Sequence, residues 1–507
     1  MGSGRNALSY AALERRYREL GDLGHAQAML GWDEAVMMPV GGGARRGDVL
    51  ATLAGLAHRQ LTSSDTAELI AAASAEGDLD DWQHANLREM QRSHLCAAAL
   101  PEALVVERSR QSTRCEQIWR VARAANDWRA IEAPLAELVR LTREAARGLG
   151  EAMDLAPYDA LIDQYQPGMD QIQIEPIFAE LRDFLPGFVE RVMARRPRPL
   201  PIDGPIPRPR QEALARALME RVGFNFKHGR LDTSHHPFCG GDPDDTRITT
   251  RYDENDFLSS LMAVLHETGH ALYEQGLPQA WRGLPVGQAA GMAVHESQSL
   301  LMEMQVCRSR EFLGFAAPIV HRHLTDSLTP TSVAANAWNA DNLFLANTQV
   351  RRGLIRVDAD EVTYPLHVIL RYELERALIA GDLEVADIPS AWDEKMRHYL
   401  GRSTRDDHRD GCMQDVHWYA GLFGYFPSYT LGAVIAAQLF AAVRQDAPDA
   451  IEGIARGDFA PLLTWLRRNV HARGRLVTTN QLLLDATGAT LNTGAFKAHL
   501  LSRYGDA

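Results

Sequence analysis

In His266-Glu267-Thr268-Gly269-His270, two histidines stand four residues apart with a glutamate beside the first, a pattern that can do hydrolytic chemistry on a metal ion. On a helix, residues i and i+4 are surface neighbours, so both imidazoles can reach one ion. Glu267 is turned by roughly 100° from His266 around the same helix. Its carboxylate therefore stands beside the ion without ligating it, where it can take a proton from water. A hydrolytic site needs a third protein ligand and an open position. Glu296 is the expected third ligand: in His295-Glu296-Ser297-Gln298 it sits among small and apolar residues, where a carboxylate is costly to bury unless paired or ligated. His295 and Glu303 are its local competitors. Zinc is the expected ion, one per chain, and a His/His/Glu set also accepts cobalt.

These side chains need elements to position them. From Phe257 the apolar residues Leu258, Met262, Leu265 and Leu272, together with Gly269, advance in steps of four and three, and His266, His270 and Tyr273 form the neighbouring stripe. Asp253, Glu254 and Asp256 crowd the start of this predicted helix, and Gly276 and Pro278 mark its stop. Ala289 to Arg310 reads as a second helix, carrying Glu296. The alternation in Arg247-Ile248-Thr249-Thr250-Arg251-Tyr252 predicts one strand, with Cys239 to Asp245 as its turn and an edge able to hold extended peptide. Helical patterning dominates from Tyr10 to Arg195 and again from Gln211. The expected fold is mainly α, with a small β element beside the metal helix. Its expected divisions are a helical region over 1–195, a connector over 196–210 in which six prolines interleave with arginines, and a metal-binding region over 211–507.

Several separated blocks together resemble the M32 metallocarboxypeptidases, the carboxypeptidase Taq type, over nearly the whole length. They are Leu30-Gly31-Trp32-Asp33 with Met38-Pro39, His236-Pro237-Phe238, Asp245 to Thr249, the two metal blocks, Ile355 to His367, and Gly411-Cys412-Met413-Gln414-Asp415-Val416-His417-Trp418. One departure is Leu300, where many relatives carry arginine. The resemblance implies a helical fold with a deep groove between helical halves, a homodimer, and broad removal of single residues from peptide carboxyl ends. It also implies His266, His270 and Glu296 as metal ligands and Glu267 as base and proton shuttle, in agreement with the residues' own chemistry.

Such an enzyme has to recognise a free carboxylate, and a bidentate guanidinium does this best. Arg356 is the first choice and Arg247 the second. His236, with His235 chemically equivalent beside it, is expected to line the groove, and Asp245 is a candidate to orient a metal-bound histidine. The run Gly411 to Leu431 is dense in aromatics, glycines and proline. It reads as a loop along the groove in which Tyr425, Tyr429 and His417 are candidates for steadying the oxyanion or the substrate. Two rivals use the same residues differently. An endopeptidase or oligopeptidase on a similar scaffold needs no fixed cation for a terminal carboxylate, and a catalytically inactive peptide-binding protein has no use for Glu267.

Composition narrows the class. With 507 residues and 46% hydrophobic content the chain can build a large core, and a formal net charge of −13 disfavours nucleic acid. Five widely spaced cysteines read as reduced thiols. The polar start carries no secretory signal, and the most apolar run, Leu431 to Val443, is too short to cross a bilayer. The expected setting is the cytoplasm, away from membranes.

Overall fold

The computed structural model describes residues 3–195, 197–202, 204–234, 237–325 and 336–505. His235 and His236 lie outside the described residues. The chain opens with α1 (Ser3–Val36), α2 (Gly43–Leu61), α3 (Ser64–Ser74), α4 (Asp81–Ala98), α5 (Glu102–Ala124), α6 (Trp128–Met153), α7 (Pro157–Asp163) and α8 (Gln171–Arg195). After the proline-rich stretch, α9 (Arg208–Arg221) leads into strands β1 (Gly229–Thr233), β2 (Phe238–Asp242) and β3 (Asp245–Thr250). Two helices then carry the metal blocks, α10 (Phe257–Gly276) and α11 (Met292–Leu300), and a π-helical stretch continues α11 over Leu301–Cys307. The rest is α12 (Arg310–Leu324), α13 (Ala340–Asn347), α14 (Tyr364–Ala380), α15 (Ile388–Leu400), α16 (Pro427–Asp446), α17 (Pro448–Arg456), α18 (Ala460–Asn469), α19 (Thr479–Thr487) and α20 (Gly494–Tyr504).

The mainly α architecture follows from the apolar period. In α6, Ile131, Leu135, Leu138, Val139, Ala145, Ala146 and Leu149 recur at helical spacing and are almost fully buried. The Asp127 side chain caps its first turn by accepting from the Ala130 amide, and left-handed Asp154 ends it. The run read as too short for a membrane lies inside α16, a helix buried nearly all round. Each Leu, Ile or Val buried there contributes about 1.5–3 kcal/mol. Leu300, the departure from the M32 pattern, is one of the apolar residues of the main core. Among the described residues no helix is long and apolar enough to cross a membrane.

The β element is larger than one strand. β3 is central, parallel to β1 and antiparallel to β2. Cys239–Asp242, expected as turn, is strand: the tight turn falls at Pro243 and Asp244, and Gly241 adopts the positive φ of 99° that lets the chain double back. Ile248 and Leu231 from the sheet pack with Val264 and Ala271 of α10, so the sheet sets the height of the metal helix.

Candidate active site

α10 begins and ends where the sequence signals lie. The Asp256 side chain accepts from the Ser259 amide at 3.1 Å, and the helix stops at Gly276. Gly276 has no room for a side chain, because a Cβ there would lie 2.5 Å from His471. α11 lies between α10 and α16, and a glycine on each of those helices permits its close approach. A Cβ at Gly269 would stand 2.4 Å from the Gln298 carbonyl oxygen, and one at Gly432 would stand 2.6 Å from Glu296 Cγ. The Glu296 side chain is thus set by two helix contacts that tolerate only hydrogen.

The result is a converging triad. Glu296 Oε2 lies 3.3 Å from His270 Nε2 and 3.8 Å from His266 Nε2. Among the described residues these three are the group of His, Cys, Asp and Glu able to hold a metal ion, with one ligand atom from each within 4.8 Å of the others. Atoms bound tetrahedrally at zinc distances stand about 3.3 Å apart, so small side-chain adjustments bring them onto an ion. Their outer nitrogens are already engaged. His266 Nδ1 hydrogen-bonds Glu303 Oε2 at 2.8 Å, and its Nε2 is turned to the centre. Arg308 in turn holds Glu303 at 2.5 Å. His295 Nε2–H donates to Glu274 Oε1 at 2.7 Å, so its Nδ1 accepts from His270 Nδ1–H at 2.6 Å. His295 and Glu303, the sequence competitors for ligation, stand behind the two histidines as hydrogen-bond partners. Asp245, the sequence candidate for that supporting role, instead accepts from Arg247 at 3.0 and 2.6 Å.

The electrostatics suit a dication. Burial alone would lower His266, yet the Glu296 and Glu303 carboxylates outweigh it and raise the imidazole to about 10. Burial dominates at His270, which falls to about 4. Burial alone would raise Glu296, but His266, His270 and the nearby Arg356 bring it down to about 2. Glu267 is 7% exposed and is pushed up to about 7 by burial, with neighbouring charges of both signs adding smaller effects. A carboxylate with that affinity for a proton can accept one and return it near neutral pH.

Beside the triad stands a polar and aromatic wall. Tyr364 OH donates to Glu296 Oε1 at 3.4 Å, and its ring meets Tyr429 at 6.2 Å between centroids. Tyr429 OH and His417 Nε2 share a hydrogen bond of 3.0 Å, and the Tyr425 ring lies 5.3 Å from Tyr429 and 5.5 Å from His417. Burial lowers His417 to about 3 and keeps it neutral. Arg356 is 5% exposed, with its guanidinium 4.5 Å from the Tyr429 ring centroid. Its Nε and Nη2 donate to Asp415, and its Nη1 makes no hydrogen bond among the described residues. Asp415 also accepts from Arg371. Arg247, with Arg230, faces the Trp32 ring of α1, at 4.2 and 4.9 Å. No local sequence pattern marks Tyr364, Arg371 or Glu274 for these positions, although Tyr364 falls inside the Ile355 to His367 block.

The sequence profile of the family described as carboxypeptidase Taq (M32) metallopeptidase matches residues 12–504. The chain belongs to that family. It is accordingly an enzyme, a metallocarboxypeptidase by class, with peptides as substrates. Thermostable carboxypeptidase 1 of Thermus thermophilus is 38% identical over 510 residues, covering 98% of each chain. Carboxypeptidase 1 of Bacillus subtilis is 32% identical over 94% of each. Among solved structures, Trypanosoma cruzi metallocarboxypeptidase 1 superposes with a TM-score of 0.94 at 40% identity, covering 98% of this chain and 99% of that one. The M32 carboxypeptidase from Deinococcus radiodurans R1 gives 0.92 at 36% identity, again over 98% and 99%.

Proposed function

We propose that this M32 enzyme hydrolyses the last peptide bond of peptides with a free carboxyl end, with broad tolerance of the residue released. The observation that carries the reading is the convergence of His266 Nε2, His270 Nε2 and Glu296 Oε2 with a buried, unligated Glu267 on the same helix. His266, His270 and Glu296 would hold one zinc ion, or cobalt in its place. Both imidazoles are hydrogen-bonded at the outer nitrogen, which reserves the inner one for an ion, and the donor set leaves a position for water, which fits a hydrolytic ion. When bound, a dication there supplies Lewis acidity toward water and toward the scissile carbonyl.

The chain's own residues supply the rest. Glu267 takes the proton of the attacking water and passes it to the leaving amine, so no serine or cysteine nucleophile is required. Tyr425 and His417 bracket the developing oxyanion, Tyr425 offering a hydroxyl proton that burial holds firmly in place. Arg356 receives the terminal carboxylate on its uncommitted Nη1, with Tyr429 packed against the guanidinium plane. Arg247 is the second choice and His236 a further contact along the groove. The region 1–195 forms one wall, 196–210 a connector and 211–507 the catalytic wall. Five free cysteines suit a reducing cytoplasm, and a homodimer is the assembly we expect.

The test is digestion of one unblocked peptide by zinc-loaded protein, beside its amidated twin and a Glu267→Gln sample, read by mass spectrometry. Stepwise loss of single residues from the free end alone, abolished in the variant, is the expected result. Internal cuts in both peptides would make the enzyme an endopeptidase or oligopeptidase. No cleavage with zinc bound would leave a peptide-binding protein.

A further inference from the structure

The wall that carries His417 and Tyr425 has no regular secondary structure between α15 and α16, yet a reacting site requires side chains held to well under an ångström. What holds it is one face of α14. Glu375 is completely buried, and three donors converge on its carboxylate. Tyr158 OH of α7 donates to Oε2 at 2.6 Å, Trp418 Nε1 to Oε1 at 2.8 Å, and the Gly424 amide to Oε2 at 3.0 Å. Two of these donors belong to residues immediately beside the candidates: Trp418 follows His417 and Gly424 precedes Tyr425. One turn earlier on the same face, Arg371 donates Nε to Asp415 Oδ2 at 2.7 Å, and Asp415 is the carboxylate that grips Arg356. The Arg371 guanidinium also lies 4.5 Å from the Trp392 ring centroid, and Trp392 meets Trp418 edge-on at 5.9 Å.

We propose that Arg371 and Glu375 are positioning residues for the reaction, Glu375 fixing His417 and Tyr425 and Arg371 fixing Arg356 through Asp415. The proposal rests on the roles given above to those three side chains. Neither residue touches the metal triad, so neither acts through the ligands. Two carboxylate nodes of opposite polarity share the work: α14 accepts from the loop at Glu375, and the loop accepts from α14 at Asp415. Gly424 is required at its position because φ is 86° and a Cβ would stand 2.7 Å from the Leu161 carbonyl carbon of α7. The loop is therefore pressed between α7 and α14 and has one seat. Replacing Glu375 by glutamine keeps the shape but turns an NH2 group toward one of three donors that can no longer all be satisfied. A shift of about 1 Å in Tyr425 is enough to cost on the order of 10²-fold in rate.

The two anchors predict different kinetic signatures, which a merely structural role would not produce. In zinc-loaded full-length enzyme, with rates normalised to folded protein, Glu375→Gln is expected to lower kcat on a free-carboxylate peptide on the order of 10²-fold with KM little changed. Arg371→Lys keeps the charge but loses the Nε–H donated to Asp415, and is expected to raise KM about tenfold with kcat less affected. Zinc titration of chelator-stripped protein should return the parental affinity in both. Should Glu375→Gln fail to fold, Trp418→Phe removes one donor from the same carboxylate and should lower kcat severalfold. Tyr425→Phe and His417→Gln run alongside. Parental kcat in both would overturn the roles of those side chains and the proposal with them. Lost activity in those two but parental kcat and KM in Glu375→Gln, Trp418→Phe and Arg371→Lys would overturn the anchoring alone.

Discussion

In the proposed reading Glu267 is the base and its neighbours His266, His270 and Glu296 are the ligands, a division that substitution can separate. Glu267→Gln keeps volume and removes the proton acceptor; kcat should fall on the order of 10²–10⁴-fold while zinc affinity, read by competition with a chelator, stays near parental. Glu303→Gln does the reverse. Glu303 lies behind His266 and fixes its tautomer through the 2.8 Å bond from Nδ1, so its loss should weaken zinc binding about 10–100-fold. A Glu303→Gln protein with parental zinc affinity would remove that supporting role. The two histidine candidates are legible in the sequence because i, i+4 spacing fixes a shared face whatever surrounds it. The partners are not: Glu303 meets His266 only because the π-helical stretch after α11 crosses α10, and no local pattern encodes that crossing.

Elements matter here through how closely they approach. α11 lies between Gly269 of α10 and Gly432 of α16, and Glu296 projects from it against Gly432. Gly432→Ala puts a methyl group where the Glu296 stem runs, so either α16 withdraws or the carboxylate leaves the triad. The expected outcome is a stability loss of about 1–3 kcal/mol in urea and a clear drop in zinc affinity. An unchanged zinc titration would mean that the helices absorb the strain without moving Glu296. α10 could be read to within a residue at each end, because Asp256 and Gly276 are local signals and the stripe between them is continuous. The sequence pattern predicts one strand where the sheet has three. β2 is Phe-Cys-Gly-Gly-Asp, whose glycines signal a turn, and it is strand only because β3 pairs with it. The pattern of Ala289 to Arg310 predicts one helix; the helix begins at Met292, after Gly291 at a φ of 146°, and widens into π geometry at Leu301. Periodicity cannot distinguish those states over so few turns.

Across the whole molecule, the end of the chain is tied to the segment that presents Arg356. Glu361 is fully buried and accepts from Arg503 Nη1 at 2.9 Å, Tyr504 OH at 2.5 Å and His499 Nε2 at 2.9 Å, all from α20. Burial alone would raise this carboxyl, but the α20 donors, Arg503 first among them, outweigh it and hold Glu361 well below its ordinary value near 4.5. Burial lowers His499, against the opposing pull of Glu361. A carboxyl whose folded pKa is depressed adds stability that is fully present above its unfolded pKa and is lost as pH falls through the folded one. Glu361→Gln removes that contribution and sets the Arg503, Tyr504 and His499 donors against a neutral amide, which costs about 3 kcal/mol at pH 7. The gap between parent and variant should therefore be widest at neutral pH and shrink on acidification below about pH 4.5, because the parent progressively loses what the variant never had. Urea unfolding of both proteins at pH 7 and at pH 3.5 reads this directly. A gap that stays the same at both pH values would mean that the ion pair contributes nothing and that packing of Tyr504 and its neighbours alone docks α20.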